Sequence, residues 1–185
     1  MRVAPTLVFA VGNPSRGDDA VGPLLAARLE AADVPGVEVL VDYQWQVEHA
    51  LDLAGRERVI FVDACVDAEA PFVEREVRAD AGFAHTSHAL APAQVLETYR
   101  RVTGASPPPA LLFGVRARSF ELGAGLSPDT ERASQAAWRL AGLDRHRRYL
   151  AFGGRTHRIQ PQQRAGGHDD AGRGRARLLD QVHAR

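Results

Sequence analysis

Three stretches of this chain, TLVFAV at Thr6–Val11, VIFV at Val59–Val62 and ALLFGV at Ala110–Val115, run almost without a polar break instead of alternating. An alternating strand has one dry face and one wet face, so a run with no wet face has to be covered on both. Three such runs in a single chain demand a sheet between two layers of helix, and a sheet so covered is built mostly from parallel strands. Two weaker candidates would complete it: VEVLV at Val37–Val41 and PFVEREV at Pro71–Val77. The second alternates, which predicts an edge strand.

The covering helices are legible between the runs. Leu24, Leu25, Leu29 and Ala32 fall on one face of a helical pattern, with Pro23 suited to its first turn. Val95, Leu96, Tyr99 and Val102 make a second stripe, closed by Gly104 as a C-terminal cap. In the third, Ser127 is the N-cap, Pro128 the first helical residue, and Asp129 and Glu131 complement the dipole. Ala133, Ala136, Ala137 and Leu140 form its buried stripe before Gly142. The expectation is one α/β domain with a mostly parallel central sheet and helices on both faces.

That domain is expected to occupy residues 1–144. Residues 145–185 lose the apolar period and are rich in Arg, Gly and Gln, which predicts an extension with weak order from roughly residue 150 onward. A chain of 185 residues with 45% hydrophobic content suffices for one core. Its formal net charge of zero argues for neither a nucleic acid nor a membrane as partner. No aromatic residue interleaves the arginines of RGRARLLDQVHAR, as a single-strand binder would require. A single cysteine, Cys65, excludes an internal disulfide and fits a reducing cytoplasm; buried filler describes it better than a nucleophile. The N-terminal apolar run is too short for a signal sequence, and no stretch reaches the length of a membrane-spanning helix.

Ligands of covered parallel sheets bind at the carboxyl ends of the strands. The loop after the first strand, GNPSRGDDAVGP, has Gly12 and Gly17 at the spacing of a phosphate cradle. Where that cradle carries Lys and Ser or Thr, this chain has Asp18 and Asp19. The two carboxylates reverse the charge, so the loop predicts a cation instead of an anion. Helix capping is the alternative, and it can account for only one of them. Asp63 closes the middle apolar run, where a carboxylate is costly unless paired or functional. His85 and His88 lie in AGFAHTSHALAP before the second helix; one imidazole beside two carboxylates would suit nickel, zinc or iron. The chain has no His-Glu-x-x-His, Gly-x-Ser-x-Gly or Cys-x-x-Cys.

AVGNPSRGDDAVGP, VIFVDACV, HTSHALAPAQVL and LLFGVRARSFELGAGLSP, in that order from about Leu7 to Leu140, resemble the nickel-iron hydrogenase maturation endopeptidases. The resemblance implies a single α/β domain of phosphorylase/hydrolase-like kind. It implies a cytoplasmic endopeptidase that removes a C-terminal peptide from the large-subunit precursor of a NiFe hydrogenase after nickel is installed. Asp19, Asp63 and His88 become the nickel site, Asp19 and Asp63 the candidates for activating water, and Gly12, Asn13 and Asp18 the substrate contacts of the first loop. The nickel is supplied by the substrate, and no organic cofactor is implied. One segment departs from the family pattern. Where many relatives carry Asp-Gly-Gly-Thr after the second strand, this chain has DYQWQVEHALDL from Asp42, so Gln44, Gln46 and Glu48 are expected to line the approach to the metal loop. A non-catalytic nickel-sensing chaperone or metal-binding module is the rival, and a nucleotide-binding α/β protein a third possibility; only the protease releases a peptide.

Overall fold

The computed structural model describes residues 3–69, 71–80 and 90–140, all within the compact unit Met1–Gly153. The boundary expected at residue 144 and the Arg-rich extension lie outside the described residues, as do Gly142, His85 and His88.

Five strands form one sheet: β1 (Thr6–Val11), β2 (Val37–Asp42), β3 (Arg58–Cys65), β4 (Phe72–Val77) and β5 (Ala110–Arg116). Their order is β2-β1-β3-β5-β4, parallel except for β4, which pairs antiparallel with β5 at the edge. The three continuous apolar runs are the three central strands, because only those have helices over both faces. β4 lies at the sheet edge, as expected, and its three consecutive charges Glu74, Arg75 and Glu76 are all exposed.

Among the described residues three α-helices cover the sheet: α1 (Val21–Ala31), α2 (Pro92–Thr103) and α3 (Pro128–Leu140). Val8, Ala10, Ile60, Val62, Phe113 and Val115 face α1 and α3. Leu7, Phe9, Val11, Val59, Phe61 and Ala110 face the other way, under α2 and a 3-10 segment at Val47–Leu53. Arg28 of α1 lies 4.4 Å over the ring of Trp138 in α3, tying the two helices on the first face.

Two stripes depart from expectation. Leu24 is 48% exposed, and α1 instead buries Val21, Gly22, Leu25, Ala26 and Leu29. The cause is Gly22, whose absent Cβ would stand 2.2 Å from the Val11 carbonyl oxygen. The helix leans on β1 at that glycine and turns Leu24 outward. In α2, Val95 and Leu96 are buried and Tyr99 partly so, while Val102 in the last turn is 65% exposed. Gly104 does cap it, in the left-handed conformation at φ +70°, and Ser127 caps α3 through its hydroxyl to the Thr130 N–H at 3.3 Å.

β1 has β2 on one side and β3 on the other, so the chain leaves β1 in one direction and later returns past it. That reversal is the topological switch point, where the loops at the carboxyl ends diverge and leave a crevice.

Candidate active site

At the switch point β1 ends and the chain turns through Gly12 at φ +142°. A Cβ there would lie 2.0 Å from the Asp19 carbonyl oxygen, so only glycine lets the loop close on itself. Gly12→Ala is expected to lower stability by about 3 kcal/mol or more, through this clash and the strained backbone together, read as a reduced denaturant midpoint.

The backbone donors of this loop are consumed internally. Gly12 donates to the Asp42 carbonyl at 3.1 Å, Asn13 to the Asp19 carboxylate at 2.9 Å, Ser15 to the Asn13 side-chain oxygen at 2.9 Å, and Arg16 to the Asn13 carbonyl at 3.0 Å. Gly17, Asp18 and Asp19 donate to the carbonyls of Ala124, Ser119 and Arg16. Pro14 has no N–H. A phosphate cradle needs those groups free. The glycine spacing therefore serves a tight turn, and the nucleotide-binding alternative loses its basis.

Asp18 and Asp19 part company here. Asp18 is fully buried, and its carboxylate accepts the N–H groups of Arg118 (2.8 Å), Ser119 (2.8 Å) and Ser127 (2.6 Å) together with the Ser127 hydroxyl (3.0 Å). Burial alone would raise its pKa, but these bonds outweigh it and hold the group at about 2. The expectation that Asp18 contacts substrate is corrected: with no exposed surface it is a structural staple between the first loop and the one after β5. It does not cap its own helix either. Asp19 is partly buried, and among the bonds to described residues its carboxylate accepts the Asn13 N–H.

Asp63 sits within β3, opposite Gly114 of β5 and one residue beyond Val62, the partner of Ala10. Its Oδ1 accepts the Ala64 N–H at 2.7 Å. Burial pushes its pKa up and that bond pulls it down, while the negative charge of Asp19 pushes up again, leaving it at about 6. The charge of Asp19 thus reaches Asp63 at the carboxyl end of β3. A shared cation would relieve both the burial and the repulsion, and oxygen donors suit a divalent metal.

Among the described residues no group of three His, Cys, Asp or Glu side chains is placed to hold a metal ion. The third expected ligand, His88, falls outside them. What flanks it is described: Asp80 donates its N–H to the Ala93 carbonyl at 3.3 Å, and Ala79 and Leu90 pack on the same side of the sheet as Phe61. Alternation along β3 puts Asp63 on that side too. Cys65 is partly buried and free.

Gln44, Gln46 and Glu48 are exposed in the segment after β2, with Trp45 between them buried edge-on against Phe9 and Phe61 at 5.1 and 5.0 Å. A pair that no motif in the sequence singles out shapes this segment. His49 Nε2 meets Asp42 Oδ2 at 3.2 Å, and His49 Nδ1 accepts the Gln46 N–H at 2.9 Å. Its signal was present as an Asp ending one strand and a His one turn into the next helical stretch.

The fold has counterparts among known proteins. No protein-family model and no curated protein sequence matches the chain. Among solved structures it is similar to the hydrogenase maturating endopeptidase HybD from E. coli, at 30% identity and a TM-score of 0.57, over 74% of this chain and 88% of that one. It is also similar to the [NiFe] hydrogenase maturation protease HycI from Thermococcus kodakarensis KOD1, at 26% identity and a TM-score of 0.57, over 76% and 92%. The hydrogenase 2 maturation peptidase from Thaumarchaeota archaeon SCGC_AB-539-E09 follows at 25% identity and a TM-score of 0.54, over 74% and 95%. The chain belongs to the hydrogenase maturation endopeptidases. It is a hydrolase acting on peptide bonds, and the sheet with its helices is the fold of that family.

Proposed function

We propose that this endopeptidase removes a C-terminal peptide from the nickel-loaded large-subunit precursor of a NiFe hydrogenase, with the nickel of the substrate docking at Asp19 and Asp63 and at His88. One observation carries the reading: a half-buried carboxylate raised to about 6 by desolvation and by the charge of a second carboxylate, at the switch point of the sheet. A group titrating near neutrality is suited to take a proton from water and return it. In the step we envisage, Asp63 takes a proton as the water oxygen adds to the scissile carbonyl carbon. The C–N bond then breaks, and the same proton goes to the departing nitrogen. One water is consumed and neither product is oxidised or reduced. The substrate's nickel would orient the scissile segment. It would have to bind in an open coordination set, since it leaves with the product.

No helix among the described residues is long and apolar enough to cross a membrane. Cytoplasmic location belongs to the proposal, together with the precursor as partner and nickel as the only metal. The test is intact-mass analysis of large-subunit precursors, nickel-loaded and nickel-free, after incubation with the protein. Loss of a C-terminal fragment from the loaded form alone is expected. Equal cleavage of both forms would remove nickel from the recognition step, and no cleavage of either would leave the rival of a nickel-sensing chaperone.

A further inference from the structure

The Asp42–His49 pair lies beside the carboxylates but takes no part in the step just described. Asp42 ends β2 opposite Val11, and Asp63 lies across β1 from it at the same level. Two strand spacings put their Cα atoms about 10 Å apart. Alternation places both on the side of Leu40 and Phe61. The Asp42 carbonyl receives the Gly12 N–H, so the pair is one hydrogen bond from the loop that carries Asp19.

Asp42 Oδ1 accepts the Tyr43 N–H at 2.6 Å, and Oδ2 accepts Gln46 Nε2 at 3.4 Å as well as facing His49 Nε2. The Gln46 backbone N–H can only donate, so His49 Nδ1 must accept and the ring proton must sit on Nε2, directed at Asp42. The ring packs edge-on against Phe9 at 4.4 Å, and its side chain is only 14% exposed. Both nitrogens and one edge are therefore engaged in holding one short segment. That segment turns outward what a protein substrate would meet: Tyr43 is 68% exposed and Val47 50%, and the exposed Gln44 and Glu48 lie among them. A primary amide both donates and accepts, which suits an extended peptide backbone. Tyr43 and Val47 are exposed apolar groups on the segment that follows Asp42, about 10 Å from Asp63, where the chain being cut has to pass.

We propose that Asp42 and His49 are positioning residues: they clamp Tyr43–Glu48 into a rigid platform on which the precursor chain lies, with Tyr43 and Val47 as its apolar contacts. The inference rests on the proposed precursor cleavage. It is tested by the dissociation constant of the nickel-loaded precursor and, separately, by kcat and KM for its cleavage. His49→Leu keeps the bulk and loses both bonds; His49→Gln keeps one donor and one acceptor. The expected result is a Kd and KM about tenfold higher in the Leu variant, kcat lowered less than threefold, and most of the loss recovered in the Gln variant. A double change of the exposed Tyr43 and Val47 to Ser, which leaves the core untouched, should raise Kd similarly. Kd within twofold of wild type in the double variant, or a His49→Leu loss confined to kcat, overturns the clamp. Wild-type protein that binds the precursor without cutting it sinks the protease proposal alone, because the Kd comparison still decides the platform.

Discussion

Asp63→Asn is expected to lower precursor cleavage by about a thousandfold, the scale of a lost general base, while making the metal-free protein more stable at neutral pH. The two effects have one cause. Folding carries the carboxyl from an ordinary 3.8 to about 6, so between those values the native state holds a proton that the unfolded chain has released. Stability therefore falls as pH rises through that window and stays lowered above it. Two pKa units correspond to about 3 kcal/mol, and an uncharged isostere recovers part of that, about 1–3 kcal/mol at pH 7.5. The gain should shrink toward zero near pH 3, below both values, where the wild-type group is protonated in both states. Urea titrations of both proteins at the two pH values, with cleavage followed by mass, check the account. Asp19→Asn should lose activity comparably, and it should also lower the apparent pKa of the remaining carboxyl by removing its charged neighbour. Full cleavage by both variants would end the proposal that these carboxylates activate water.

Asp18, one residue away, should behave in the opposite sense. Asp18→Ala would leave three backbone N–H groups and a hydroxyl without their acceptor in a fully buried position, an expected loss of about 3–5 kcal/mol. Asp18→Asn should cost nearly as much. Four donors converge on the carboxylate, and an amide nitrogen would turn one of the two accepting atoms into a fifth donor. Its depressed pKa of about 2 gives the pH dependence: the contribution is complete above 3.8 and disappears as pH falls toward 2. The difference in unfolding free energy between wild type and variant, followed from pH 7 down to pH 2.5, should narrow accordingly. A variant of wild-type stability at pH 7 would show that the loops are joined by something other than this carboxylate.

Two adjacent aspartates thus have opposite expected phenotypes, and nothing local distinguishes them. In the sequence both stand at the head of the first helix, equally fit to cap it. The difference arises from partners about a hundred residues away, Arg118, Ser119 and Ser127, which take Asp18 into the interior and leave Asp19 partly exposed. The glycine loop carried a similar ambiguity. Its spacing is compatible with a phosphate cradle, and only the destination of each N–H, into Asp42, Ser119 and Ala124, excludes one.

What the sequence by itself determined is the set of elements and their class. Continuous apolar runs specify strands covered on both faces, the alternation of Phe72–Val77 specifies an edge, and Gly104 and Ser127 specify helix ends, because burial period and capping chemistry act over a few residues. The tertiary structure alone decided the strand order β2-β1-β3-β5-β4 and the phase of α1 on Gly22. It also decided the division of labour between Asp18 and Asp19 and the pairing of Asp42 with His49. These depend on contacts between residues far apart in the chain or on which of several equal local choices packs. Local periodicity holds no record of them.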